Sequence, residues 1–514
     1  MTSKGLTRAI GLAVLLALAA CSALPPRPEM PDAFAPPPAT QGEMAARLAP
    51  EEARHPGESG FRLVSAGTEA YALRTYSAQI ATRSLDIQTY IWHGDLTGKL
   101  LARRALDAAD RGVKVRILVD DMDARAKNAG FAALDAHGNI EVRVFNPFAS
   151  RGGVLRRVGE LATGLRRLNH RMHNKSWIAD NRMALVGGRN LGDEYFNASA
   201  DTNFIDLDLL MVGPVVPQVS ANFDRYWNSP SNYPIWAVNK APADAQALAK
   251  VRAVLEASPA ELAGSRYATV LREDPDVQRI IAGAGSLLWS RDWVFVSDDP
   301  RKVDRSGDRF GQSAVLAAIA PAMRSSQREL RVISPYFVPG REGTRALLEI
   351  AATGVDVEVL TNSLAATDVA AVHSGYARAR KQLLAGGVAL WELKPVTAAA
   401  SNFSLGGSSG SSLHTKALVI DDRQVFVGSY NLDPRSTSLN TEQGVLVRHP
   451  QLARQLTQLF ASQQQGTHAW HVEQVEGRLQ WSDGTRTWTG EPEATMGRRM
   501  RVWVAKLLPI QSQL

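Results

Sequence analysis

A six-position signature occurs twice in this chain, and no other feature restricts the fold as much. The first copy is His173-Asn174-Lys175, then Asp180, then Gly187-Gly188-Arg189-Asn190. The second is His414-Thr415-Lys416, then Asp421, then Gly428-Ser429-Tyr430-Asn431. Each matched pair (173 with 414, 175 with 416, 180 with 421, 190 with 431) is 241 residues apart. At ordinary residue frequencies, one such match has a chance of roughly one in 10^8 per start point. The chain is therefore built from a duplicated unit.

Strand signals repeat in the same order. Leu85 to Trp92, Val113 to Val119 and Ile140 to Phe145 are apolar or alternating runs in the first half. Their counterparts are Leu330 to Phe337, Val355 to Thr361 and Val388 to Glu392, and helical stretches lie between. Alternating strand and helix patterns predict an α/β fold. The expected form is two pseudo-twofold-related lobes, each a mixed β-sheet flanked by helices, with the active site at the lobe junction. The expected divisions are a signal peptide over 1–20, a lipidated cysteine and Pro-rich tether over 21–59, and a first lobe over 60–235. A bridging helix or linker over 236–265, a second lobe over 266–460, and a C-terminal hairpin with a basic amphipathic tail over 461–514 complete the chain. Asp483-Gly484, between Leu479/Trp481 and Trp488, supplies the hairpin turn.

The signature has a chemical logic. Both His-x-Lys pairs adjoin apolar strand-like runs, and in a strand residues i and i+2 project from one face. His173 with Lys175, and His414 with Lys416, therefore reach one site while the residue between points away. Asp180 and Asp421 complete the candidate catalytic set, although their place in polar turns also suits an Asx turn. Asn190 and Asn431 offer amide donors to a substrate phosphate. One histidine cannot be nucleophile and proton donor in the same step, but two can divide the roles. Two lysines neutralise phosphoryl oxygens, so no metal or other cofactor is called for.

This arrangement resembles the phospholipase D superfamily, whose signature is His-x-Lys-x4-Asp followed by Gly-Gly/Ser-x-Asn. The resemblance implies a covalent phosphohistidine, with one histidine as nucleophile and the other as general acid. It also implies an acidic residue after each motif that orients a catalytic histidine. Glu442 in Asn440-Thr441-Glu442 fits that role, and Asp206 in Phe204-Ile205-Asp206-Leu207-Asp208 is its first-half counterpart. Residue types do not say which histidine attacks; analogy favours His173. A narrower similarity links Gly188 to Phe196, Asn431 to Ser436 and Asn440 to Glu442 with bacterial cardiolipin synthases, above all the C type. His373, with Tyr376 and Arg380, belongs to that similarity as a supporting residue. The resemblance covers about residues 60 to 514.

The N-terminus carries an address. Lys4 and Arg8 precede an apolar run from Ala9 to Ala20, too short to span a bilayer and suited to a signal peptide. It ends Leu18-Ala19-Ala20-Cys21, which resembles a lipobox; Cys21, the single cysteine, is then the lipidation site and excludes an intrachain disulfide. By resemblance to enterobacterial lipoprotein sorting signals, Ser22 at the next position implies the outer rather than the inner membrane. The expected location is the bacterial envelope, lipid-anchored and facing the periplasm. Prolines between 25 and 38 read as an extended spacer. A net charge of +7 favours anionic partners. The basic stretches from Arg151 to Arg171 and from Arg498 onward suit either an anionic membrane surface or packing on the body. No dense basic-aromatic run of the nucleic-acid type is present, so no nucleic acid partner is expected.

The expected activity is a phosphatidyltransferase making cardiolipin from phosphatidylglycerol and a second phospholipid, with phosphatidylethanolamine a candidate donor. Alternatives are a hydrolytic phospholipase D, a nuclease of the same superfamily, and a non-catalytic envelope lipoprotein. Protein partners are not readable.

Overall fold

A computed structural model describes residues 24–124, 127–149, 169–239, 244–281, 286–303, 313–395 and 411–507. The signal segment, Cys21 and most of the basic stretch from 151 lie outside the described residues. No helix among the described residues is long and apolar enough to cross a membrane.

Two large mixed sheets carry the fold, as the duplicated strand pattern predicts. The first has nine strands. At its centre, Ser84–Thr89, Lys114–Asp120 and Ile140–Phe145 run parallel, and the motif strand Ser176–Ala179 runs antiparallel to Ser84–Thr89. The second has ten strands. There Glu329–Ile333, Asp356–Asn362 and Ala389–Leu393 are parallel, and Ala417–Ile420 runs antiparallel to Glu329–Ile333. Positions and directions correspond strand for strand through this central region. The parallel strands need crossover helices, which Leu96–Asp110 and Gly340–Ala352 provide.

Three apolar clusters form the core. Two lie on the outer faces, one per lobe. The third joins the lobes: Ile178, Val186, Leu209 and Met211 of the first sheet share it with Val419, Val425, Val427 and Val445 of the second. Burying these β-branched and aliphatic side chains between two sheets fixes the lobes as one body. Helices Val215–Trp227 and Pro450–Gln464 contribute Phe223, Trp227, Leu456 and Phe460 to the same layer.

The chain divides differently from the sequence-based expectation in three places. The proline-rich segment is not a free spacer. It is strapped along the first lobe: Arg27 donates to the Asn232 carbonyl at 2.7 Å, Ala35 N–H to Asp224, and Asn181 to the Pro36 carbonyl. Helix Glu43–Arg54 follows within the expected tether. Proline fixes φ, so the extended strap loses little entropy when its carbonyls find donors. Second, helix Ala245–Ala263 packs as a layer on the first lobe, tied by Arg252 to Asp110 and Lys99 to Glu261. Third, Tyr267 donates to the Phe196 carbonyl, and strand Leu288–Ser290 pairs with Ser59–Val64. The crossover to the second sheet therefore falls between Ser290 and Trp293, not at 266. In the C-terminal hairpin Trp481 lies opposite Trp488, and the hairpin extends the second sheet through Ala469–Val475.

Candidate active site

Each histidine sits just ahead of a motif strand, where the backbone of one lobe bonds to that of the other. Met172 bridges Thr441, and the His173 N–H donates to the Thr441 carbonyl at 2.9 Å. In the second half, Ser411–Leu413 pairs in parallel with Asn203–Ile205, and the His414 N–H donates to the Ile205 carbonyl at 2.8 Å. The residues between His and Lys bond to the opposite lobe instead. Asn174 accepts from the Thr441 hydroxyl, and Thr415 donates to the Ile205 carbonyl. Both residues thereby stitch the lobes together.

The acids are exchanged between halves. His173 Nδ1 lies 2.9 and 3.1 Å from the two Glu442 carboxylate oxygens. His414 Nδ1 lies 2.6 Å from Asp206. Each histidine is held by the acid of the opposite lobe. With Nδ1 facing a carboxylate, the proton of a neutral ring resides there, leaving Nε2 as the reactive nitrogen.

The two acids differ in length, and the glycine positions explain how both fit. A Cβ on Gly188 would lie 2.1 Å from the Asp206 Oδ1, so glycine is required there. The equivalent Ser429 instead donates its hydroxyl to the longer Glu442 at 2.5 Å, and Ser436 donates to the other oxygen at 2.8 Å. The Glu442 N–H is in turn received by Asp298, which a fully buried Lys302 neutralises. Sequence reasoning missed Ser436, Asp298 and Lys302, because their link to Glu442 is made by the tertiary fold. It also missed the rings that wall the histidines. Tyr90 stands edge-on to His173 at 5.3 Å, while Tyr195 and Phe204 lie 5.4 and 5.1 Å from His414.

Both lysines are buried and fold back on their own motif. Lys175 Nζ donates to the His173 carbonyl at 2.6 Å, and Lys416 Nζ to the His414 carbonyl. Burial, partly offset by Glu442 and reinforced by Lys416, pushes Lys175 down to about 7. Burial likewise lowers Lys416 to about 8. Burial lowers His173 to about 4 against the opposing charge of Glu442, and burial together with Lys416 lowers His414. Burial raises Glu442 and Asp206, but the facing histidines and lysines outweigh it, and both carboxyls end below their usual range. Two histidines and two lysines thus converge with two carboxylates in a buried site, and the lysines favour an anionic ligand.

The remaining expected residues fall on either side of this centre. Asn190 is buried, donates to the Tyr195 hydroxyl at 2.8 Å and accepts from the Ile91 N–H. Asn431 is buried with its Oδ1 unpartnered. Asp180 and Asp421 are not at the centre, which corrects their place in the candidate catalytic set. Each lies at the far end of its motif strand, about 16 Å from the lysine at ~3.3 Å per residue. Each occupies the first of two left-handed positions (φ 54° and 51° for Asp180-Asn181, 54° and 52° for Asp421-Asp422), the two-residue hairpin turn that favours Asp and Asn. The Asp180 carboxylate receives the N–H groups of Thr82, Arg83 and Ser84 at 2.8–3.1 Å. Asp421 does the same for Gln327, Arg328 and Glu329.

His373 is also placed apart. Its Nε2 meets Arg380 at 2.9 Å and Glu491 at 3.2 Å, in a buried cluster that ties the C-terminal segment to helix Ala370–Ala385. His93, Asp95 and Glu194 could in principle hold a metal. Their atoms already serve one another and the N–H groups of Gly98 and Asp193.

Comparisons with known proteins find relatives over most of the chain. The family described as "Cardiolipin synthase, PLD-like domain" matches residues 77–227 and 319–463, one span per lobe. Cardiolipin synthase C of Escherichia coli (strain K12) is 39% identical over 477 residues, covering 91% of this chain and 99% of that protein. Cardiolipin synthase A of Pseudomonas entomophila (strain L48) is 25% identical over 407 residues, covering 79% of this chain and 66% of that protein. Among solved structures, phosphatidylserine synthase of Haemophilus influenzae Rd KW20 superposes with a TM-score of 0.56 at 14% identity. It covers 91% of this chain and 100% of that one, a likeness of fold.

Proposed function

Since the chain belongs to the phospholipase D-like family of cardiolipin synthases, we propose that it is a phosphatidyltransferase joining two phospholipids into cardiolipin. The observation that carries this reading is the pair of histidines, each held through Nδ1 by an acid of the other lobe, above two buried lysines.

In the first step His173 Nε2 attacks the donor phosphorus. The bond from phosphorus to the head-group oxygen breaks, and that oxygen takes the Nε2 proton of His414, which enters the step as an imidazolium held by Asp206. The low titration of His173 supports its choice as nucleophile, because its Nε2 is unprotonated at neutral pH. Glu442 stabilises the positive ring of the phosphohistidine. In the second step His414 removes the proton from a hydroxyl of phosphatidylglycerol. That oxygen attacks phosphorus and the P–N bond breaks, releasing cardiolipin and restoring His173. Lys175 and Lys416 hold the non-bridging oxygens, where charge accumulates. The burial of all four side chains disfavours free water as the acceptor and supports transfer over hydrolysis.

The test is product analysis with purified protein given phosphatidylglycerol alone or with phosphatidylethanolamine. Cardiolipin is expected, together with an acid-labile phosphohistidine in wild type that is absent from His173→Ala. Phosphatidic acid alone would replace this reading with a hydrolytic phospholipase D. The lipobox-like Leu18 to Cys21 supports attachment at the periplasmic side of the envelope, where metabolic labelling with a fatty acid should mark the protein and not Cys21→Ser.

A further inference from the structure

The C-terminal helix Met496–Leu507 has two apolar faces, and among the described residues only one is packed. At about 100° per residue, Arg498, Val502 and Ala505 share one face. Val502 and Ala505 are buried, and the helix docks there on helix Ala370–Ala385, helped by Arg378 bonded to the Lys506 carbonyl at 2.6 Å. Met496, Met500, Trp503 and Val504 fall on the opposite face. They are 78%, 56%, 59% and 44% exposed, a contiguous stripe of large apolar side chains in water. Cations border the stripe on both sides, Arg499 and Lys506 on one flank and Arg501 on the other. No acidic residue lies in the helix.

The helix is also linked to the catalytic centre through one loop. Arg498 donates to the carbonyls of Leu364 and Thr367 at 3.0 and 2.5 Å. That loop holds Asp368, which receives the Tyr336 hydroxyl and whose charge is felt by Lys416. The preceding strand ends at Asn362, whose amide clamps both backbone groups of Leu413, next to His414.

We propose that this helix lies flat on an anionic phospholipid surface and holds the second lobe against it. The inference rests on the proposed use of phospholipid substrates and adds the element that engages the bilayer. An apolar stripe sinks to the headgroup boundary while flanking Arg and Lys reach lipid phosphates. Charge complementarity selects an anionic surface over a neutral one. A lipid anchor at Cys21 would bring the protein to a membrane but would not orient it.

The test uses the full lipidated chain reconstituted in phosphatidylcholine vesicles with or without phosphatidylglycerol, with brominated acyl chains in the bilayer. The Trp503 contribution is the fluorescence difference between wild type and Trp503→Phe. It should be quenched by brominated lipid, more strongly when phosphatidylglycerol is present. Met500→Ser with Trp503→Ser, both at exposed sites, should keep the melting temperature. This variant should lower turnover of vesicle-borne substrate roughly tenfold and leave turnover of a short-chain, monomeric substrate unchanged. An unquenched Trp503, or equal losses on both substrates, would overturn the proposal. So would a variant that alters only the oligomeric state, which would assign the stripe to a second copy. Quenching without any cardiolipin product would sink the synthase reading and leave this one standing.

Discussion

Replacing Glu442 with glutamine isolates one charge in the proposed mechanism. The side chain keeps its shape, and Ser429 and Ser436, which hold its two oxygens, retain polar partners. What disappears is the negative charge beside His173 Nδ1, 2.9 Å away. With charge centres about 4 Å apart and an effective dielectric near 20, that charge stabilises a positive ring by about 4 kcal/mol. At 1.36 kcal/mol per decade, its loss slows the first chemical step about 10^3-fold. The ground state binds substrate with a nearly neutral ring, so KM should change by no more than about threefold. Rapid-quench single turnovers on phosphatidylglycerol vesicles, with acid-labile phosphohistidine counted at each time, measure that step directly. Circular dichroism melting checks the fold. A folded Glu442→Gln enzyme whose phosphohistidine forms within tenfold of the wild-type rate would refute the assignment of Glu442 as the partner of a charged ring.

Three further outcomes follow from the geometry. Asp180→Ala strips the acceptor from three backbone N–H groups and should cost about 3 kcal/mol in a denaturant titration, with activity per folded molecule unchanged, whereas Asp180→Asn should cost less. The lysines bind an anion only as ammonium groups, and they titrate at about 7 and about 8 in the free site. Lowering the pH below these values protonates them and raising it neutralises them. KM for an anionic phospholipid should therefore climb between pH 7 and 9, and Lys175→Arg, which stays charged, should flatten the climb in steady-state kinetics. Arg380→Ala leaves Glu392 and Glu491 without their shared cation in a buried cluster. It should lower stability by about 3–5 kcal/mol, read as an earlier unfolding midpoint, without altering the pH profile of the surviving activity.

Much of this was legible in one dimension because strands and motifs are local. Period-two alternation located the parallel strands of both sheets, and the His-x-Lys spacing placed two side chains on one face. The turn positions of Asp180 and Asp421 suggested Asx turns, but their carboxylates receive N–H groups more than ninety residues away. Local pattern misled where a segment's partner was distant. Prolines make an extended chain, but whether it hangs free or lies along Asn228 and Asn232 depends on acceptors some 200 residues away. The alanine-rich helix looked like a bridge because nothing in its own residues says which lobe covers it. His373 carried a motif-like context, yet its ring faces Arg380 and Glu491.

The duplicated signature by itself determined the two-lobed α/β fold and the convergence of two histidines and two lysines. Only the tertiary structure decided that the acids cross over, Glu442 to His173 and Asp206 to His414. The reason is physical. Spacing fixes which face a side chain takes along its own strand, whereas the partner of a buried ring is chosen by which strand of the other lobe pairs beside it. Thr441 lies beside Met172 and Ile205 beside Leu413. Those pairings are held by an apolar layer shared between the sheets, and no motif encodes it.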